Sequence, residues 1–243
     1  MKFESVIRKI SSWAAAVIIY LVALSLYLGA KGFALGPDNR PVLVKSAQAA
    51  VSRDTAAKNL IPTNLVLPQG RSLGKNSAPV TIYEFSSLGC SHCADFHLKT
   101  LPGINDKYIK TGKVRVVFVD FPIDAKSMQA ALAAQCMPPQ KYFDFLSLLF
   151  KKQREWGLST NTPKLLTQYA SLNGISAERL ERCLKDKKTA QEIIDKRQEA
   201  INHLHIQGTP TLIIASAKER EVFAGAPGVS ELEKILDAKL AQK

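Results

Sequence analysis

A β-branched and aromatic run, Val80 to Ser86, is followed closely by Cys90-Ser91-His92-Cys93, then by a helical pattern reaching towards Lys110 and a second β-branched run, Val114 to Phe121. Ala78-Pro79 and Pro122 bound the two runs, and Thr111-Gly112-Lys113 turns the chain between helix and second strand. Strand, helix and strand at this spacing make a βαβ unit, which demands parallel pairing and a right-handed crossover. The unit confines the chain to the α/β class and sets a cysteine at a helix mouth. An apolar share of 46% over 243 residues supplies enough material for a sizeable core.

Other elements fall around that unit. Leu65 to Leu67, closed by Pro68-Gln69-Gly70, is expected as an edge strand. Ser127 to Cys136 is Ala-rich, and Lys141 to Trp156 carries Phe145, Leu148 and Leu149 at helical spacing. Thr162-Pro163 reads as a cap before Lys164 to Ser171, and Ser176 caps a segment ending near Lys185. These four short helices form an all-helical insertion over residues 125–187. Thr189-Ala190-Gln191-Glu192 reads as a capping box opening a long helix. Leu212 to Ala215 and Val222 to Ala224 are then strands, and Ser230 to Glu233 is a second capping box before an amphipathic helix carrying Leu232, Ile235 and Leu236. The order over 64–124, 125–187 and 188–243 is that of a thioredoxin fold interrupted by an all-helical insertion.

The N-terminus is of another kind. Lys2, Arg8 and Lys9 precede an uncharged run from Ile10 to Ala30. A span needs roughly 20 apolar residues, whereas a cleavable signal uses roughly 7–15. Residues 1–35 are therefore expected to be a membrane anchor or signal helix, with Ala47-Gln48-Ala49 the cleavage-like alternative far downstream. The basic flank keeps the N-terminal end in the cytoplasm and sends the remainder outward. Residues 36–63, with Pro37, Pro41 and Pro62, read as a linker. Either fate of the helix gives a cell-envelope location on the periplasmic face, anchored through residues 10–30 or soluble after cleavage. Disulfides persist there. A net charge of +12 comes from dispersed lysines and arginines without interleaved aromatics, so nucleic acid is not expected as a partner and acidic or anionic ones fit better.

Two cysteines separated by two residues can close a small disulfide ring where the chain turns into a helix. At the helix start, unpaired N–H groups and the dipole favour the Cys90 thiolate, and a protonated His92 would add positive charge beside it. Cys93, one turn in, is expected to be less exposed and to act as the resolving thiol. Each unit by which the thiolate pKa falls below ambient pH stabilises the reduced form by about 1.4 kcal/mol, or about 30 mV for two electrons. Zinc is the alternative use of the pair, but it needs two further ligands, and the chain has no second close pair: Cys136 and Cys183 stand 47 residues apart, while His97 is one turn after Cys93. No metal and no cofactor is expected beyond the redox-active disulfide itself. Cys136 and Cys183 lie on different helices of the insertion and are expected to pair in an oxidising compartment, buried free thiols being the alternative. His203 and His205 read as helix-end surface residues.

Phe85-Ser86-Ser87-Leu88-Gly89-Cys90-Ser91-His92-Cys93 and Gly208-Thr209-Pro210-Thr211, together with the helical insertion, resemble the DsbA-type thiol:disulfide oxidoreductases across roughly 64–241. The resemblance implies a cis Thr209–Pro210 bond beside the redox pair, with Thr209 and Pro210 binding substrate backbone. It implies that Glu84 is the strand carboxylate beneath the pair that relays protons to the buried cysteine; a strand glutamate paired with a basic neighbour is the alternative. It implies reduced exported proteins as clients, a membrane quinone-linked oxidase of the DsbB type as partner, and a monomer. Two departures keep electron flow open in both directions: Ser-His stands where strong oxidases typically have Pro-His, and Thr209 stands where they often have Val. An oxidase is the leading expectation, because the polar segment before Asn64 is too short for the dimerisation domain of a dedicated isomerase. An isomerase or reductase kept reduced by a membrane carrier is the alternative, as is a non-enzymatic metal-delivery or holdase module.

Overall fold

A computed structural model of the chain describes residues 33–35, 41–43 and 59–242. The Ile10–Ala30 run and the Ala47-Gln48-Ala49 site lie outside the described residues. Among the described residues no helix is long and apolar enough to cross a membrane. In the N-terminal part, β1 (Phe33–Leu35) and β2 (Pro41–Leu43) pair antiparallel, Phe33 opposite Leu43. This hairpin occupies the end of the segment expected as helix and the start of that expected as linker.

The second compact unit starts at Asn59, five residues before the expected boundary at Asn64. β3 (Leu60–Ile61) is the reason: it pairs antiparallel with β8 (Arg220–Ala224), and Val222 N–H donates to the Asn59 carbonyl at 2.8 Å. Leu65 to Leu67 forms no strand. Pro68 cannot donate to a ladder, and Leu67 instead buries itself against the sheet while the Leu65 carbonyl takes the Arg220 guanidinium. The edge position goes to β4 (Arg71–Leu73), where a Cβ on Gly70 would stand 2.1 Å from the Phe118 carbonyl oxygen, so only glycine lets the strand approach.

β5 (Val80–Ser86) and β6 (Val114–Asp120) are the parallel pair, with Glu84 opposite Phe118 and Ser86 opposite Asp120. β7 (Thr211–Ala215) runs antiparallel on the other side of β5, giving the sheet order β3-β8-β7-β5-β6-β4. The β5–β6 crossover is α1 (Ser91–Asp95), a π turn (Phe96–Thr100), α2 (Leu101–Ile104) and a second π turn (Asn105–Ile109).

The insertion has five helices rather than four: α3 (Ala125–Gln135), α4 (Tyr142–Lys151), α5 (Gln153–Leu158), α6 (Thr162–Leu172) and α7 (Ala177–Leu184). The chain breaks at Lys152, dividing the segment expected as one helix. A disulfide joins Cys136 to Cys183 across 47 residues. α8 (Lys187–Leu204) and α9 (Val229–Leu240) complete the fold. Three caps differ from expectation. Asp186 caps α8, accepting the N–H groups of Lys188 and Thr189, because its carboxylate competes better than the Thr189 hydroxyl. Asn161 caps α6, while the Thr162 hydroxyl donates to the Trp156 carbonyl at 2.8 Å. α9 begins after Gly228 without a side-chain cap, and Glu233 takes the Lys107 ammonium.

Burial explains the layers. Val80, Ile82, Val116, Leu212 and Ile214 pack against Phe96, Ile104 and the α9 residues Leu232 and Leu236. Higher on the same sheet face, Phe118 packs into the insertion core with Tyr142, Phe145 and Phe150. The opposite face, Phe85, Val117, Val119 and Ile213, is covered by Ala200 and Leu204 of α8. The result is a mixed α/β, thioredoxin-like fold in which the C-terminal ends of β5 and β6 open towards the insertion.

Candidate active site

Strand β5 ends at Ser86 and the next four residues form a tight turn, in which Cys90 N–H donates to the Ser87 carbonyl at 3.0 Å and Gly89 N–H to the Ser87 hydroxyl at 3.2 Å. Cys90 is the N-cap residue of α1, with extended backbone angles, and its carbonyl accepts the first helical N–H from Ala94 at 3.1 Å. The sulfur therefore sits where helix N–H groups lack intrahelical partners. Cys90 is half-buried and Cys93 fully buried, and both are free thiols.

The Cys90 Sγ also reaches across to Thr209, 3.3 Å from its carbonyl oxygen. Thr209–Pro210 is a cis peptide, as the resemblance implied, and Gly225 N–H donates to the Pro210 carbonyl at 2.8 Å, holding that loop on β8. Thr209, Pro210 and His92 line a groove of about 680 Å³ with His205, Ala224 and Gly228. His203 and His205 are exposed, the latter ending α8 in a left-handed conformation.

The two sulfurs have opposite acid–base character. Cys90 falls from its ordinary 9.0 to about 5, first because the Cys93 thiol donates to it, then through the Thr209 side chain and the backbone N–H groups of Cys93 and His92, with burial opposing. Cys93 is pushed far above its ordinary value by its hydrogen bond to Cys90 and by burial. The largest influence on Cys90 is thus the neighbouring thiol rather than the helix mouth or a charged His92, and His92 acts through its backbone N–H.

The end of the sheet and the first turns of the crossover also hold the buried polar groups Glu84, Asp120 and His97. Glu84 has no exposed surface, and among the described residues neither carboxylate oxygen has a hydrogen-bond partner. Burial pushes its pKa up to about 8, against a small opposing influence from Ser86. Among the described residues no basic side chain pairs with it. Two residues above Phe118, Asp120 accepts from Gln135 Nε2 at 2.7 Å, and Arg71 donates to both the side chain and the backbone carbonyl of Gln135 at 3.1 Å. Burial raises Asp120 to about 6. His97 is buried against Phe150, with Nε2 3.0 Å from the Ser147 hydroxyl, and burial lowers its pKa to about 4. Among the described residues no group of three or more His, Cys, Asp or Glu side chains is placed to hold a metal ion.

Sequence reasoning missed Asp120, Arg71, Gln135 and Gln153. The Asp120 side was legible in principle, because an acid ending a buried β-branched run must find a partner. Gln153 left no signal, since a polar residue opening a helix is usually solvated.

A family model described as thioredoxin matches residues 67–238. Disulfide bond formation protein D of Bacillus subtilis is 34% identical over 173 residues, covering 69% of this chain and 77% of that protein. The crystal structure of Wolbachia pipientis alpha-DsbA1 superposes with a TM-score of 0.67 at 29% identity, covering 74% of this chain and 94% of that one. A Rickettsia typhi protein provisionally named protein-disulfide oxidoreductase is 29% identical over 143 residues, 58% of this chain, and the chain spans about half its length, 53%.

Proposed function

Because the chain belongs to the thioredoxin family and, within it, to the DsbA-type thiol:disulfide oxidoreductases, we propose that it oxidises exported proteins by handing them the Cys90–Cys93 disulfide. One observation carries this reading: a half-exposed sulfur that prefers to be an anion lies beside a buried one that prefers its proton.

The exchange runs as two displacements. A client thiolate attacks Cys90 Sγ of the oxidised pair, forming a client–Cys90 disulfide and expelling Cys93 as thiolate. Cys93 takes a proton, and Glu84, protonated near neutral pH, is the carboxyl proposed to supply it. A second client thiolate then attacks the client sulfur of the mixed disulfide and expels Cys90. The client has lost two electrons and the pair has gained them. Cys90 leaves readily because its anion is stabilised. A membrane quinone-linked oxidant of the DsbB type removes the two electrons and restores the disulfide. The groove at Thr209 and Pro210 offers backbone groups to an extended client chain. Residues 10–30 serve as the anchor or signal that places this chemistry on the periplasmic face.

Holding Cys90 near 5 instead of 9.0 favours the dithiol at pH 7 by at most about 2.7 kcal/mol, or about 60 mV, and solvent around the half-exposed sulfur screens part of this. The test is oxidation of a reduced dithiol peptide by the wild type and Cys90→Ser. The variant is expected to be inactive, and equal rates would remove Cys90 as the attacked sulfur.

A further inference from the structure

The insertion touches the reactive turn through one side chain at the start of α5. Gln153 Nε2 donates to the carbonyl of Leu88 at 2.7 Å and to that of Cys90 at 2.9 Å. Both partners are pure acceptors, so the amide must present its NH2 end to them. The Cys90 carbonyl already takes the Ala94 N–H, and Gln153 fills its second lone pair.

Gln153 is held firmly at its own end. Trp156, one turn later, is buried, and its indole N–H donates to the Leu149 carbonyl at 2.8 Å. Lys126 ties down the far end of α5 through the carbonyls of Gly157 at 2.8 Å and Ser159 at 2.9 Å. Gln153 therefore cannot follow the turn if the turn moves. Such a hold matters because the turn contains Gly89 and is fastened within itself only by the hydrogen bonds of Gly89 and Cys90 to Ser87.

We propose that Gln153 is a positioning residue for disulfide exchange, a clamp from the helical insertion that keeps Cys90 Sγ within reach of the helix N–H groups and of Thr209. Hydrogen bonds weaken steeply with distance and misalignment, so a turn released from Gln153 stabilises the thiolate less well. The inference rests on the reading of Cys90 as the reactive sulfur.

Gln153→Ala and Gln153→Met, in the full reduced chain, test it. Alanine is well tolerated in a helix, and methionine keeps the length without the donors. Thiolate absorbance is followed from pH 3 to pH 10, alongside thermal unfolding. Both variants are expected to titrate about one pH unit higher than the wild type, a tenfold change in acid dissociation, and to oxidise a dithiol peptide more slowly. A merely structural role would lower the melting temperature and leave the midpoint in place. Wild-type titration at an ordinary cysteine value would defeat the proposed function itself. A low wild-type midpoint matched by both variants would overturn the role of Gln153 alone.

Discussion

Glu84 should make this protein less stable than it could be, and the cost should depend on pH. Its pKa rises from 4.5 to about 8 on folding because the carboxylate is buried without partners. A raised acid pKa means that folding takes up a proton. The penalty is absent well below pH 4.5, grows by about 1.4 kcal/mol per unit up to about pH 8, and is constant beyond. It amounts to about 1 kcal/mol at pH 5 and about 3 kcal/mol at pH 7. Glu84→Gln keeps the shape and removes the titration. Urea unfolding of the oxidised forms, in which neither active-site thiol titrates, should show the variant gaining about 2 kcal/mol on the wild type between pH 5 and pH 7. Asp120, raised from 3.8 to about 6, contributes the same trend to both proteins and cancels in the difference. Any cost of burying the amide is independent of pH and cancels likewise. Peptide oxidation should slow in the variant, because glutamine has no proton to pass to Cys93. Parallel stability–pH curves for the two proteins would refute the reasoning.

Replacing both Cys136 and Cys183 with Ala reopens a loop of 47 residues, which should cost about 4 kcal/mol and lower the melting temperature by about 10 °C; calorimetry checks this, and the potential of the Cys90–Cys93 couple should stay put. Cys93→Ala leaves Cys90 without its largest stabilising partner and without a resolving thiol; when Cys90 attacks the disulfide of an oxidised client peptide and expels one client thiolate, the resulting mixed disulfide should persist on non-reducing gels. Alkylation of Cys90 in the wild type should proceed at a nearly constant rate from pH 9 down to about pH 6 and slow through about pH 5.

The parallel β5–β6 unit could be read directly, since bounded β-branched runs flank a helix of crossover length. The thiol pair at the helix mouth followed from the same pattern. Local rules were less informative where two candidates competed. Asp186 displaced Thr189 at the α8 cap, and Leu65 to Leu67 became a packed coil because β4 took the sheet edge, through Gly70 and its close approach to Phe118. The electrostatic detail was out of reach for a different reason. The Cys90 sulfur meets the carbonyl of Thr209, 119 residues away in sequence, and the Cys90 carbonyl is bonded by Gln153, 63 residues away. Tertiary contacts of that range leave no local periodicity to read. Glu84 could be suspected from resemblance, but its lack of any partner is visible only in the packed core.

The reduction potential of the Cys90–Cys93 couple, equilibrated against glutathione at pH 7, tests the central claim most directly. Thioredoxin, with a thiol pKa near 7, lies at about −270 mV. A Cys90 thiol near 5 should bring this couple to about −220 mV or higher, about 50 mV more oxidising than thioredoxin from the shift of the thiol alone. A value at or below that of thioredoxin would contradict it, because the sulfur at the helix mouth would then gain nothing from being released as an anion.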